Sequence, residues 1–385
     1  MDDAVIIACA RSPMARAGRG SFALTRIDDV GAQVVAGLMA RVPGLDPALI
    51  EDVLIGCAMP EGEQGLNVAR NIALLAGLPF SSGAVTINRF CASSLEAISQ
   101  AVRAIWCGDG DLFLAGGIES MTHVPMGGFN PSLNEKLMRD GAPAAYINMG
   151  LTAENVAQKY SIGREEQDKF ALASHLKAVS ARERGKFDAE IVPIEAVVAG
   201  GGTRRVTLDE GPRPDSSLEA LAKLEPAFLK GGTVTAGNSS PLTDGAAALL
   251  IASKSLAKKL GLKPMAKIRS MAVAGCDPAF MGIAPVLAVP KALRRAKMKL
   301  KDIELIELNE AFAAQSLAVV KELSIDERRL NVHGGAIALG HPLGMSGARI
   351  MTTLLHAMID RKASTGMATM CIGGGQGAAT IIERV

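Results

Sequence analysis

The sequence predicts an α/β protein made of two similar βα halves, with a separate segment inserted over the first. Three observations predict it. From the N-terminus to residue 119, apolar runs of strand length alternate with amphipathic runs of helix length, a pattern that argues for a parallel-rich sheet covered by helices. The alternation stops over 120–240, where polar residues, Pro and Gly gather around Gly200-Gly201-Gly202. It resumes near residue 266 with its parts in the same order, as in an internal repeat. At 385 residues the chain exceeds one ordinary core. We therefore divide it into a first half (1–119 plus 241–264), an inserted loop domain (120–240) and a second half (265–385).

In chain order, Ala4–Cys9 reads as a buried strand. Asp29–Ala40 reads as a helix, with Val30, Val34 and Leu38 near helical spacing. Asp52–Gly56 is a strand, Asn67–Ala76 a helix and Ala84–Asn88 a strand that runs straight toward Cys91. Ser94–Ile105 is helical, and Asp111–Ala115 is a strand closed by Gly116-Gly117. In the insertion, Ser161–Gln167 reads as a helix start of capping-box type. Ala266–Ala274 is a strand, Ala284–Ala296 a helix, Ile303–Leu308 a strand and Ala311–Leu323 a helix. Asn331–Val332 leads into a turn around His341, followed by the helix Ser346–Ile359. Met367–Ile372 and Ala378–Glu383 are strands flanking a glycine run. Strand-turn-helix at Cys91 thus corresponds to strand-turn-helix at His341, and strand-Gly-Gly at 111–117 to strand-Gly-Gly at 367–375. The correspondence predicts halves whose turns face each other.

Composition excludes several classes. The formal net charge is only +2, with no long basic run, so nucleic-acid binding is not expected. No run of 18 apolar residues occurs, so no membrane span is expected. The acidic start Met1-Asp2-Asp3 lacks the basic opening of a signal peptide, and a cytoplasmic location is expected. None of the six cysteines has CxxC spacing and no HExxH occurs, so neither a metal site nor a disulfide framework is expected.

Three side chains stand in tight turns: Cys91 in Asn88–Ile98, His341 in Gly340-His341-Pro342-Leu343-Gly344, and Cys371 before Gly373-Gly374-Gly375. A thiol at the start of a helix feels its positive end, which predicts a lowered pKa at Cys91. A His needs only spatial closeness to activate such a thiol. Backbone N–H groups after Cys371 can be aimed at an oxyanion. Alone, each residue has a bland alternative: an inert buried cysteine, a structural histidine, a plain glycine turn. A dinucleotide loop does not fit the glycine run, because such a loop opens a helix and here one last strand follows. Asn309-Glu310 close an apolar strand, where sheets of this kind bind ligands.

Together these segments resemble the thiolase family, over essentially the whole chain. The resemblance rests on Asn88–Ile98, Gly232–Ala247, Asn309–Ala313, Gly334–Arg349 and Cys371–Gly377, in the family's order. Within the family the chain is most similar to degradative 3-ketoacyl-CoA thiolases, through His123–Met126 and Gly275–Pro278. The resemblance implies a five-layered α-β-α-β-α fold. It implies that Cys91 takes the acyl group of a 3-ketoacyl-CoA, that His341 activates Cys91, and that Cys371 protonates the departing acetyl-CoA carbanion and then deprotonates the incoming CoA. It implies one oxyanion hole from Asn309, through a water, with His341, and another from the N–H groups of Cys91 and Gly373. It also implies CoA contacts at Arg213 and Ser240. Coenzyme A is then a co-substrate, with no permanently bound cofactor. The implied partners are CoA thioesters, other copies in a homodimer or homotetramer, and for some members the hydratase–dehydrogenase subunit of a β-oxidation complex. Ala92, Ser94, Glu225, His333 and Met345 depart from common family residues. His333 is expected to alter the hydrogen bonds of His341, and Asn148 replaces a His common in acetoacetyl-CoA thiolases. Two other readings remain: a biosynthetic acetyl-CoA acetyltransferase, and a non-catalytic acyl-CoA-binding subunit.

Overall fold

A computed structural model describes residues 2–141 and 143–385. The first half contains β1 (Ala4–Arg11), the two-residue β2 (Ala15–Arg16), α1 (Ile27–Ala40), β3 (Asp52–Gly56), α2 (Val68–Leu75), β4 (Gly83–Ile87), α3 (Ser93–Cys107) and β5 (Leu112–Glu119). The intervening segment carries α4 (Met149–Lys159), α5 (Arg164–Glu183), the hairpin β6 (Ile194–Val197) and β7 (Thr203–Val206), and α6 (Leu218–Ala222). The chain then returns through β8 (Thr243–Ser253) and α7 (Lys254–Lys259). The second half contains β9 (Ala266–Gly275), α8 (Pro285–Ala296), β10 (Leu305–Leu308), α9 (Ala313–Leu323), α10 (Ala336–Leu339), α11 (Ser346–Arg361), β11 (Thr365–Ile372) and β12 (Gln376–Arg384).

The repeat in the sequence is a repeat in topology. The first half orders its strands β4-β3-β5-β8-β1, and the second orders them β10-β11-β12-β9. A parallel bridge from Leu330 to Ile306 stands in the second half where β4 stands in the first. The halves join where β1 pairs with β9 through Val5–Lys267 and Ile6–Ala266. Apolar residues decide the layering. Val30, Val34 and Leu38 of α1 with Ile72 of α2 cover the outer face of the first half. Val289 and Leu293 of α8 with Leu317 and Val320 of α9 cover that of the second. The equivalent helices α3 and α11 fill the centre, with Leu95, Ile98, Met351 and Leu354 in one shared core. The result is five layers, α-β-α-β-α.

The parallel-rich expectation needs correction. Among the described residues, the only strand pairs that run parallel are β3–β4, β3–β5 and β10–β11, beside two isolated parallel bridges. β8 runs antiparallel to both β5 and β1, and β12 runs antiparallel to both β11 and β9. The turn Gly373-Gly374-Gly375 is too short for a crossover, so β12 must double back on β11. β8 itself escaped the reading of the sequence. Its Ala-Leu-rich run shows no alternation, because every residue is buried. The capping box does not form either: α5 starts after Gly163 with no side-chain cap, and Ser161 sits at φ +52°.

The centre is unusually close-packed. A Cβ on Gly117 would lie 2.1 Å from the Gly344 carbonyl oxygen, and one on Gly347 2.5 Å from the Leu95 nitrogen. Glycine at these positions is what lets the N-termini of α3 and α11 approach each other.

Candidate active site

β4 delivers the chain to Cys91 through a strained turn. Phe90, not glycine, takes φ +44°, a conformation that persists only when neighbours hold it. They do: Phe90 N donates to Asn88 Oδ1 at 2.8 Å, and Ser93 Oγ donates to the Phe90 carbonyl at 2.6 Å. Cys91 then sits just before the first turn of α3 and is 8% exposed. Its own N–H and that of Gly373 are aimed at its sulfur. Burial nevertheless dominates and raises the thiol to about 11, with the nearby Glu119 charge adding to the rise. This corrects the expectation of a lowered pKa. The positive helix end does not outweigh desolvation, so Cys91 rests as a thiol.

Gly340, at φ +118°, turns the chain into His341. Ser346 Oγ donates to the Pro342 carbonyl at 2.7 Å and lies 2.5 Å from His341 Nδ1. The serine's only proton is thus used, so it accepts from Nδ1–H, and the network assigns Nε2 as the bare acceptor. Asn309 Nδ2 lies 3.3 Å from Nε2. Burial, aided by the Arg349 charge, lowers the imidazole to about 3, so the ring is neutral. Asn309 is fully buried, and its Oδ1 makes no protein hydrogen bond. Its neighbour Glu310 turns away to accept from Ser174 Oγ at 2.6 Å and Asn331 Nδ2 at 2.7 Å.

Cys371 lies near the end of β11 and is 1% exposed, packed with Met281, Ala311 and Phe312. Burial pushes its thiol up, and the proximity of Cys91 adds to the effect. The two thiols, one from each half, are thus close enough for their charges to interact.

Cys91 and His341 line one cavity of about 140 Å³, walled by Met126, Met149, Phe228 and Phe312 and reached by Ser240 and Asn148. A second cleft of about 360 Å³ holds Arg16, His175, Arg213 and Asp215. Ser239 and Pro241 line both. Ser240 is thus beside the reactive groups, whereas Arg213 belongs to the adjoining cleft. Burial lowers His175 to about 4, with Arg213 and Arg16 adding to the fall, so two cations flank a neutral ring. His333 faces Phe187, edge-on at 6.1 Å, and Asp360 at 3.9 Å, rather than His341. That corrects the expected influence on His341. Sequence reasoning missed Arg16, His175 and Glu119, whose partners lie far away in the chain, and Ser346, which reaches back into the His341 turn. Among the described residues, no group of three or more His, Cys, Asp or Glu could hold a metal ion.

Comparison with known proteins identifies the family. Residues 4–255 match the family profile "Thiolase, N-terminal domain", and residues 262–384 match "Thiolase, C-terminal domain". The chain is 51% identical over 392 residues to a 3-ketoacyl-CoA thiolase of Idiomarina loihiensis and 52% identical to one of Shewanella baltica, covering 100% of both chains in each case. The crystal structure of the Bacillus anthracis acetyl-CoA acetyltransferase superposes with a TM-score of 0.92 at 39% identity, over 100% of this chain and 99% of that one. With both halves matched and relatives of this identity spanning its full length, the chain belongs to the thiolase family.

Proposed function

We propose that this chain cleaves 3-ketoacyl-CoA with CoA to give acetyl-CoA and a shortened acyl-CoA, in the degradative direction. One observation carries the reading: Cys91 shares a cavity with a neutral imidazole whose Nε2 is bare, and the buried Cys371 thiol of the opposite half is within reach of the Cys91 charge. In the first step Nε2 of His341 takes the Cys91 proton as the sulfur attacks C3 of the substrate. The C2–C3 bond breaks, its electron pair forms the acetyl-CoA enolate, and the Cys371 thiol protonates C2. In the second step the Cys371 thiolate takes the proton of the incoming CoA thiol, whose sulfur attacks the acyl-Cys91 thioester. Cys91 leaves and regains its proton from His341.

Two oxyanions need support along this path. We assign one to the N–H groups of Cys91 and Gly373, which point toward the Cys91 sulfur. For the other, the imidazolium formed at His341 and the free Oδ1 of Asn309 would hold a bridging water. Neutral resting forms suit this chemistry, because charge appears only where the substrate brings it. The Arg16–Arg213 cleft supports binding of the CoA phosphates, with Ser240 guiding the thioester into the reactive cavity.

The runner-up is a short-chain acetyltransferase, favoured by the structural match to the Bacillus anthracis enzyme and by the small cavity. CoA-dependent thiolysis of 3-ketoacyl-CoA substrates from C4 to C16 separates the two. We expect efficient cleavage at C8 and beyond; turnover confined to C4 selects the runner-up.

All six cysteines are free, which supports a reducing, cytoplasmic setting. No helix of the described residues is long and apolar enough to cross a membrane. A homodimer, or a tetramer built from dimers, is supported by β4. Among the described residues it pairs only with β3, and Leu66, Leu75, Phe80, Val85 and Phe90 are exposed on it and beside it. Such an open, apolar edge suits pairing with a second copy. Light scattering is expected to give at least twice the 39.9 kDa chain mass, and Val85→Lys to lower it. A wild-type particle of single-chain mass would sink this assignment.

A further inference from the structure

Glu119 ends β5, is 1% exposed, and has no part in the steps above. Its Oε2 accepts from the backbone N–H of Ala58 at 2.8 Å and of Gly344 at 2.7 Å. Its Oε1 accepts from Gln64 Nε2 at 2.7 Å and from the Met59 N–H at 3.2 Å. The Cys57 thiol lies 3.9 Å from Oε1. All five partners are neutral donors; burial raises the carboxyl above its ordinary range, and the hydrogen bonds from Ala58, Gly344, Met59 and Gln64 act against that rise in favour of the ionised form. A buried charge of this kind is costly, and here no cation among its hydrogen-bond partners offsets it.

What these bonds hold is specific. Gly344 lies three residues after His341, and its carbonyl accepts from the N–H of Ser94, three residues after Cys91, at 3.1 Å. The Ala58 carbonyl accepts from Asn88 Nδ2 at 3.0 Å, and Asn88 Oδ1 in turn holds the strained Phe90 N–H. One path from the carboxylate therefore ends at the Cys91 turn and the other at the His341 turn. A Cβ on Gly344 would lie 2.4 Å from the Ile118 carbonyl and 2.8 Å from Glu119 Oε2, so the contact is close enough to exclude any side chain. Ser94 adds a second tie from the same turn, its Oγ accepting from the Ala348 N–H in the first turn of α11 at 2.9 Å.

We propose that Glu119 is a positioning residue for the reaction, a single carboxylate that clamps the two reactive turns and so sets the approach of Cys91 to His341. The proposal rests on the reading of those two side chains given above. It has a second consequence. Burial is the main cause of the raised Cys91 thiol and the Glu119 charge adds to it, so the carboxylate helps to keep the nucleophile protonated until His341 takes the proton.

Glu119→Gln keeps the volume but turns one acceptor oxygen into a donor facing two N–H groups. Glu119→Asp keeps the charge and shortens the reach. Gln64→Met removes one donor and leaves the carboxylate intact. The readouts are kcat, KM and the pH midpoint for alkylation of Cys91 by iodoacetamide. For Glu119→Gln we expect kcat to fall about 30-fold or more, KM to change less than about threefold, and the alkylation midpoint to move to lower pH. Glu119→Asp is expected to lose kcat by about tenfold with the midpoint unmoved, since the charge stays. Gln64→Met is expected to lose roughly three- to tenfold in kcat, and it keeps the test open if Glu119→Gln does not fold. Wild-type kcat in Gln64→Met, or an unmoved midpoint in a folded Glu119→Gln, overturns the proposal. Cys91→Ala separates the two levels: residual thiolysis there overturns the site itself, whereas a dead Cys91→Ala beside fully active Glu119 variants overturns only the clamp.

Discussion

Cys91→Ala is expected to lower thiolysis by roughly a millionfold, the scale seen when a covalent nucleophile is removed from a machinery that acts as a unit. Splitting the C2–C3 bond requires an acyl acceptor at C3 before the enolate can leave. Cys91 is the side chain in the reactive cavity that offers a soft nucleophile beside a base. In the proposed mechanism Cys371 does not take over, because it stands on a strand of the other half and its thiol is assigned to protonation of C2. Cys91→Ser is expected to be almost as inactive, since a hydroxyl gives up its proton to a neutral imidazole far less readily than a thiol does. Intact-mass measurement checks the assignment directly. On mixing with a 3-ketoacyl-CoA and no CoA, the wild type should gain one acyl group and Cys91→Ala none. An acyl group that still appears on the variant would place the nucleophile elsewhere.

His341→Ala carries the second largest expected effect, a loss of about 10³-fold in kcat within the range known for general bases. Because the Cys91 thiol is raised to about 11, almost no thiolate preexists at neutral pH, and the base must create it. His341 is suited to that only because its own proton is on Nδ1, locked by Ser346. Ser346→Ala should therefore weaken catalysis without removing any reacting group.

The acidity of His341 also gives a sign for stability. Its folded pKa, about 3, lies below the ordinary value of 6.5. Between those values the unfolded chain binds a proton that the folded chain does not. This contribution to stability is complete above about pH 6.5 and is lost as pH falls toward 3. Thermal unfolding as a function of pH should show wild type losing stability on the acid side more steeply than His341→Ala. Equal slopes would mean that the ring is protonated in the folded protein.

Much of the molecule is legible in the order of its residues. The turn at Cys91, the turn at His341 and the run at Gly373 are written in glycine, proline and serine, residues whose backbone preferences act over a few positions. Strands such as β1 and helices such as α1 are legible because their apolar spacing is local. The order of parts, repeated about 250 residues apart, is enough to suggest two facing halves. β8 is not legible, because a run buried on both faces has no alternation to betray it.

The sequence by itself determined the alternation of elements, the candidate reacting side chains and their family resemblance, since each depends on neighbours within one turn or one strand. Only the tertiary structure decided the protonation of Cys91, the tautomer of His341, the adjacency of the Arg213 cleft to the reactive cavity, and the hydrogen bonds of Glu119. Those properties depend on burial and on partners that the fold brings together, as with Gly344 and Glu119, 225 positions apart in the chain. Desolvation and hydrogen bonding act through space, and the order of residues along the chain carries no record of that distance.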